Sequence, residues 1–76
     1  MKAVIWSRYH CSHCDQAKAL LRSKGIIFEE KKIGDGYTKE ELLEAVPTAK
    51  SVPQIFLDGN LVGGFNELRK KLTESI

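Results

Sequence analysis

No stretch of these 76 residues is long and apolar enough to span a membrane. The apolar run at the start, Met1 to Trp6, has neither the length nor the small-residue cleavage site of a signal peptide. The expected location is therefore cytoplasmic, where an incidental disulfide would be reduced. Charge of one sign is also scarce. Twelve basic and 10 acidic side chains give a net charge of +2. The basic residues are scattered, adjacent only at Lys31-Lys32 and Arg69-Lys70-Lys71. Without a basic stripe interleaved with aromatics, nucleic acid is not an expected partner, and neither is a membrane. There is no internal repeat, low-complexity tract or linker, so residues 1–76 are expected to form one domain. A domain this small buries only about 60% of its unfolded surface. Its 42% hydrophobic content suffices for one compact core.

Within that frame the apolar pattern alternates between strand and helix. Ala3-Val4-Ile5-Trp6 reads as a buried strand. From Asp15 to Lys24, Ala17, Leu20 and Leu21 share a helix face, and Gly25 supplies a stop. Ile26-Ile27-Phe28 begins a second strand that fades into the charged run Glu29 to Lys32. After the loop Ile33 to Gly36, Thr38 and Glu41 form a capping box, with Tyr37 stapled against Leu42 and Pro47 closing the helix. Asp58-Gly59 joins two apolar runs, Gln54–Leu57 and Asn60–Val62, as a hairpin. Asn66 is a candidate cap for a last helix carrying Leu68, Leu72 and Ile76 on one face. Arg69 to Lys71 lie near its end, where cations complement the dipole. The order predicts an α/β fold: a four-stranded mixed sheet flanked by three helices, its first strand–helix–strand unit a right-handed parallel crossover.

Cysteine and histidine are rare, and all of both lie in His10-Cys11-Ser12-His13-Cys14. A structural zinc site uses four ligands, usually in two pairs far apart in sequence. Four side chains within five residues cannot easily surround one ion, so no metal is expected. Haem attachment needs His after the second cysteine, and residue 15 is Asp. A structural disulfide here would close a tiny loop and remove little chain entropy. A redox pair fits better. Cys11 falls at the end of the first strand and Cys14 in or near the first helical turn. The unpaired N–H groups and positive end of a helix stabilise a thiolate. Two intervening residues let the second thiol attack a mixed disulfide formed on the first.

Three stretches in this order resemble the glutaredoxins over nearly the whole chain. Cys11-Ser12-His13-Cys14 with Ala17 to Leu21 is similar to the family's C-P-Y-C and the helix behind it. Ser51-Val52-Pro53-Gln54-Ile55-Phe56 is similar to its T-V-P-Q-I-F, and Val62 to Leu68 to its G-G-x-D-D-L. The resemblance implies a thioredoxin-like fold and glutathione as reductant. It implies Cys11 as the attacking and Cys14 as the resolving catalytic residue. It implies Val52 pairing its backbone with the cysteine portion of glutathione, beside a cis Pro53. Gly64, Phe65, Asn66 and Glu67 would hold the γ-glutamyl end. Arg8 would meet a glutathione carboxylate, with Lys50 a looser candidate for that task. His13, between the cysteines, is expected to lie near the Cys11 sulfur and favour its thiolate.

Ser12 and His13 depart from the family's Pro and Tyr, and Asn66-Glu67 from its paired aspartates. His10 has no role beyond the loop. The expected function is a glutathione-dependent thiol–disulfide oxidoreductase. Its expected partners are glutathione and disulfide-containing or glutathionylated proteins, ribonucleotide reductase among them, met as a monomer. Two alternatives differ in class. One is a dedicated electron donor reduced by a thioredoxin reductase. The other is a dimer holding an iron–sulfur cluster between two Cys11 thiolates and two glutathiones, which goes with motifs lacking the proline, as here; it is not the expected cofactor.

Overall fold

The computed structural model of the chain describes residues 1–73. Strand β1 (Lys2–Arg8) lies inside a four-stranded sheet of order β2-β1-β3-β4. It pairs in parallel with β2 (Ile27–Ile33), Lys2 opposite Ile27. On its other side it pairs antiparallel with β3 (Gln54–Leu57), Ala3 opposite Leu57, and β4 (Asn60–Gly63) completes the sheet antiparallel to β3. Helices α1 (Ser12–Ser23), α2 (Lys39–Ala45) and α3 (Phe65–Thr73) cover the two faces.

The period of two along a strand decides which helix each side chain meets. Ala3 and Ile5 of β1, with Ile55 and Leu57 of β3, pack against Ala17 and Leu21 of α1 and Leu68 of α3. The alternate residues Val4, Trp6 and Phe56 pack with Leu42 and with Val46, the residue after α2. Leu21 and Leu68 are fully buried, and truncating either to alanine would cost about 2–5 kcal/mol. Among the described residues no helix is long and apolar enough to cross a membrane.

Several local expectations hold in detail. The box is complete: Glu41 N–H donates to Thr38 Oγ1 at 3.2 Å, and Thr38 N–H to Glu41 Oε1 at 2.9 Å. Tyr37 joins Leu42 in one cluster. Asp58 and Gly59 both have positive φ, 49° and 84°, as a two-residue turn matched to strand twist requires. At the end of α1, Ile26 N–H donates to Leu21 O and Gly25 N–H to Arg22 O, both at 3.0 Å. Gly25, at φ 68°, permits that reversal.

Three expectations are corrected. Helix α1 starts at Ser12, not Asp15, because Cys11 itself caps it: extended at φ −122°, its sulfur accepts the Cys14 N–H. Strand β2 starts at Ile27 and does not fade; it runs through the charged residues to Ile33. Tertiary partners hold those charges. Ser7 Oγ and Lys18 Nζ donate to Glu30 Oε2 at 2.6 and 2.9 Å, Lys31 Nζ lies 5.2 Å from the Trp6 ring centre, and Lys32 Nζ lies 4.6 Å from that of Tyr9. Charged side chains also suit an edge strand, where they discourage pairing with another chain. Finally, Asn66 does not cap α3. The helix begins at Phe65, Gly64 O accepts from Leu68 N–H, and Glu67 Oε1 accepts from Gly64 N–H at 2.9 Å. Ile76 lies outside the described residues.

Candidate redox site

The site grows from the junction of β1 and α1. After Arg8 the chain turns sharply, with His10 at φ 55°. Arg8 holds that turn: its Nη1 donates to the carbonyls of Tyr9 and His10 at 3.0 and 3.2 Å. Thus His10 contributes a backbone acceptor, and its side chain is exposed.

Cys11 and Cys14 are joined as a disulfide, with their Cα atoms 5.2 Å apart. Cys11 Sγ accepts the Cys14 N–H at 3.1 Å and lies 3.9 Å from the Val52 carbonyl oxygen. Both cysteines are buried, Cys11 at 7% exposure and Cys14 at 1%. The sulfur nearer solvent therefore sits at a helix N-terminus with a backbone donor aimed at it. Reduction leaves that donor in place, and charge on the Cys11 sulfur is what it stabilises. The Val52–Pro53 bond is cis and Pro53 is buried.

The other expected residues divide into two groups around the pair. On one side Arg8, Lys50 and Val52 meet in an open groove of about 270 Å³. On the other, Gly64 and Phe65 open α3. The His13 ring lies parallel to that of Phe65, centres 6.1 Å apart and planes at 13°, and the Arg69 guanidinium lies 6.0 Å from the Phe65 ring centre. His13 is exposed. In the disulfide state the Cys11 sulfur takes the Cys14 N–H, and the imidazole stacks on Phe65. Glu67 is turned back onto Gly64. A Cβ at Gly63 would lie 3.1 Å from Glu67 Cγ, and one at Gly64 would lie 3.1 Å from Glu67 Oε1. The paired glycines thus make room for a carboxylate of this chain.

Two features escape sequence reasoning. Lys39 joins Arg8 and Lys50 in the groove, although the three come from separate elements. The partner of His13, Phe65, is 52 residues away, and only the folded chain brings them together. Among the described residues no three His, Cys, Asp or Glu side chains converge where a metal could sit.

The arrangement has close counterparts. The glutaredoxin family model matches residues 3–62. Glutaredoxin 3 of Escherichia coli strain K12 is 39% identical over 64 residues, which cover 84% of this chain and 77% of that protein. Among solved structures, glutaredoxin 1 of Francisella tularensis superimposes with a TM-score of 0.81 at 29% identity, over 93% of this chain and 91% of that one. Oxidised Escherichia coli glutaredoxin does so with a TM-score of 0.80 at 29% identity, over 100% and 98%. A four-stranded mixed sheet, three helices and a C-x-x-C disulfide at the first helix are the thioredoxin-like fold with its redox pair, and the chain belongs to the glutaredoxin family of thiol–disulfide oxidoreductases.

Proposed function

We propose that this protein uses glutathione to reduce protein disulfides and glutathione mixed disulfides, with Cys11 as nucleophile and Cys14 as resolving thiol. The Cys11 sulfur carries this reading: it is the less buried of the pair, it accepts the Cys14 N–H at 3.1 Å, and it lies beside the Val52 carbonyl. A thiolate so placed is stabilised at neutral pH and attacks disulfides.

With a glutathione mixed disulfide, the Cys11 thiolate attacks the glutathione sulfur and the substrate thiolate leaves. A second glutathione thiolate then attacks the Cys11–glutathione bond, releasing glutathione disulfide and restoring the Cys11 thiolate. With a protein disulfide, Cys11 attacks one sulfur and the other leaves as a thiolate. The Cys14 thiolate then attacks the Cys11 sulfur, releasing the second substrate thiolate and forming the Cys11–Cys14 bond. Two glutathiones reduce that bond and leave as glutathione disulfide.

Glutathione would lie across the pair. Its cysteine portion pairs with the backbone of Val52, next to Pro53. One carboxylate meets Arg8, whose guanidinium keeps donors beyond the Nη1 bonds to the loop, with Lys50 nearby. The γ-glutamyl end meets the N–H groups that open α3 at Phe65 and Asn66, between the His13–Phe65 stack and Glu67.

The decisive experiment compares reductants. Turnover of a disulfide substrate should be supported by glutathione with glutathione reductase and not by thioredoxin reductase. The reverse result would make the protein a dedicated donor of the thioredoxin-reductase type and end the glutathione reading.

A further inference from the structure

We propose that the groove beside the redox pair docks an acidic polypeptide segment carrying an apolar side chain, the segment that flanks the target cysteine in protein disulfides. The inference rests on the oxidoreductase reading and adds its substrate class.

The groove is assembled from three parts of the chain. Arg8 comes from the end of β1, Lys39, Leu42 and Leu43 from α2, and Lys50 and Val52 from the segment before Pro53. Three cations face it, and no carboxylate lines it. Among the described residues none of the three is in an ion pair, since the ion pairs formed there use Lys18. The Arg8 bonds run to backbone carbonyls, which carry no net charge. Between the cations the surface is apolar, and Leu43 is left 37% exposed. The groove reaches the reacting sulfur at Val52, whose carbonyl oxygen lies 3.9 Å from Cys11 Sγ.

Glutathione does not match this surface fully. In the placement proposed above, one of its carboxylates meets Arg8 and the other lies at α3. Lys39 and Leu43 then have no counterpart. A longer chain supplies both, running from its cysteine at Cys11 past Val52 and along α2. Carboxylates on that chain meet the cations, and an apolar side chain covers Leu43. The reaction is the protein-disulfide route already described, with the same two electrons passing from the Cys11–Cys14 dithiol to the bound disulfide. Glutathione and the segment share the Val52 end, so they occupy it in turn.

The test uses the full chain, reduced, and two disulfide-bonded peptides that both carry leucine. They differ only in Asp and Glu, or Asn and Gln, beside the cysteine. Exposed ion pairs contribute at most about 1 kcal/mol each, so the acidic peptide should react about three- to tenfold faster at low ionic strength. Added salt should shrink that advantage. In the exposed double variant Lys39→Gln/Leu43→Ser the advantage should fall toward unity, while turnover of the glutathione–mercaptoethanol mixed disulfide stays at the wild-type rate. Equal rates for both peptides on the wild type would overturn the proposal, as would an acidic preference that survives in the variant. A parallel loss of mixed-disulfide turnover in the variant would give the groove to glutathione alone and overturn it equally. Failure of the wild type to turn over the mixed disulfide would instead count against glutathione dependence, leaving the comparison between peptides intact.

Discussion

The backbone N–H of Cys14 points at the sulfur of Cys11 across 3.1 Å. In the mechanism proposed above, one residue thus serves the other twice, through its backbone as a donor to the nucleophile and through its thiol as the group that displaces substrate. The two services separate by mutation. Cys11→Ser should abolish thiol transfer on every substrate. Cys14→Ser keeps the N–H, so it should retain reduction of a glutathione mixed disulfide and lose reduction of a protein disulfide. Steady-state assays on both substrates check this; activity of Cys11→Ser on the mixed disulfide would reassign the nucleophile.

The glycine pair before α3 gives a second expectation. Gly63 has φ 122°, and a Cβ there would meet Glu67 Cγ at 3.1 Å and Cβ at 3.2 Å. Gly63→Ala should therefore destabilise the fold by roughly 1–3 kcal/mol. In a domain of this size each kcal/mol lowers Tm by about 4–8 °C, which thermal unfolding resolves. An unchanged Tm would mean that Glu67 moves away freely.

Glu30 should make stability depend on pH. Partial burial opposes its charge, but hydrogen bonds from Ser7 and Lys18 and the charges of Lys18 and Lys32 outweigh that and hold its carboxyl below the ordinary value. A lowered folded value means stability that is present above the unfolded value, near pH 4.3, and lost as pH falls through the folded one. At pH 7, Glu30→Gln should cost about 1 kcal/mol. That gap should narrow below about pH 4 as the wild-type carboxyl protonates. Urea midpoints of both proteins at neutral and acid pH measure it; a gap independent of pH would contradict the assignment.

His13 should act through its stack. A double-mutant cycle of His13→Ala and Phe65→Ala should show coupling of about 0.5–1 kcal/mol. His13→Tyr keeps an aromatic ring against Phe65. With the sulfur's donor supplied by Cys14, it should move the reduction potential by less than about 15 mV, half the shift that corresponds to about 1.4 kcal/mol. Equilibration in glutathione buffers checks the potential; a larger shift would restore His13 as a direct partner of the thiolate.

What was legible in the sequence follows from range. The Asp58-Gly59 turn and the Thr38–Glu41 box are decided within four residues, so their residue types announce them. The cysteines announce a redox pair by their spacing and their place at a strand-to-helix junction, whereas Val52-Pro53 and Gly63-Gly64 are marked by family likeness. Strand β2 could not be followed through Glu29 to Lys32, because what holds those charges in place is Ser7, Lys18, Trp6 and Tyr9. The start of α1 was missed because its cap is a sulfur rather than the usual side-chain oxygen. At α3 two polar side chains compete, and reach decides: Glu67, one turn inside, folds back on Gly64, while Asn66 is already helical.

The strand order β2-β1-β3-β4 has a consequence for synthesis. A ribosome makes β1 and β2 before β3, so the parallel pair and α1 can assemble while one side of β1 still lacks its neighbour. That side carries Ala3 to Trp6, whose partners are Gln54 to Leu57. Until residue 57 has left the exit tunnel, the strand destined for the middle of the sheet is an open apolar edge, the kind of surface on which nascent chains associate. A chaperone acting on this chain would have most to shield in that interval.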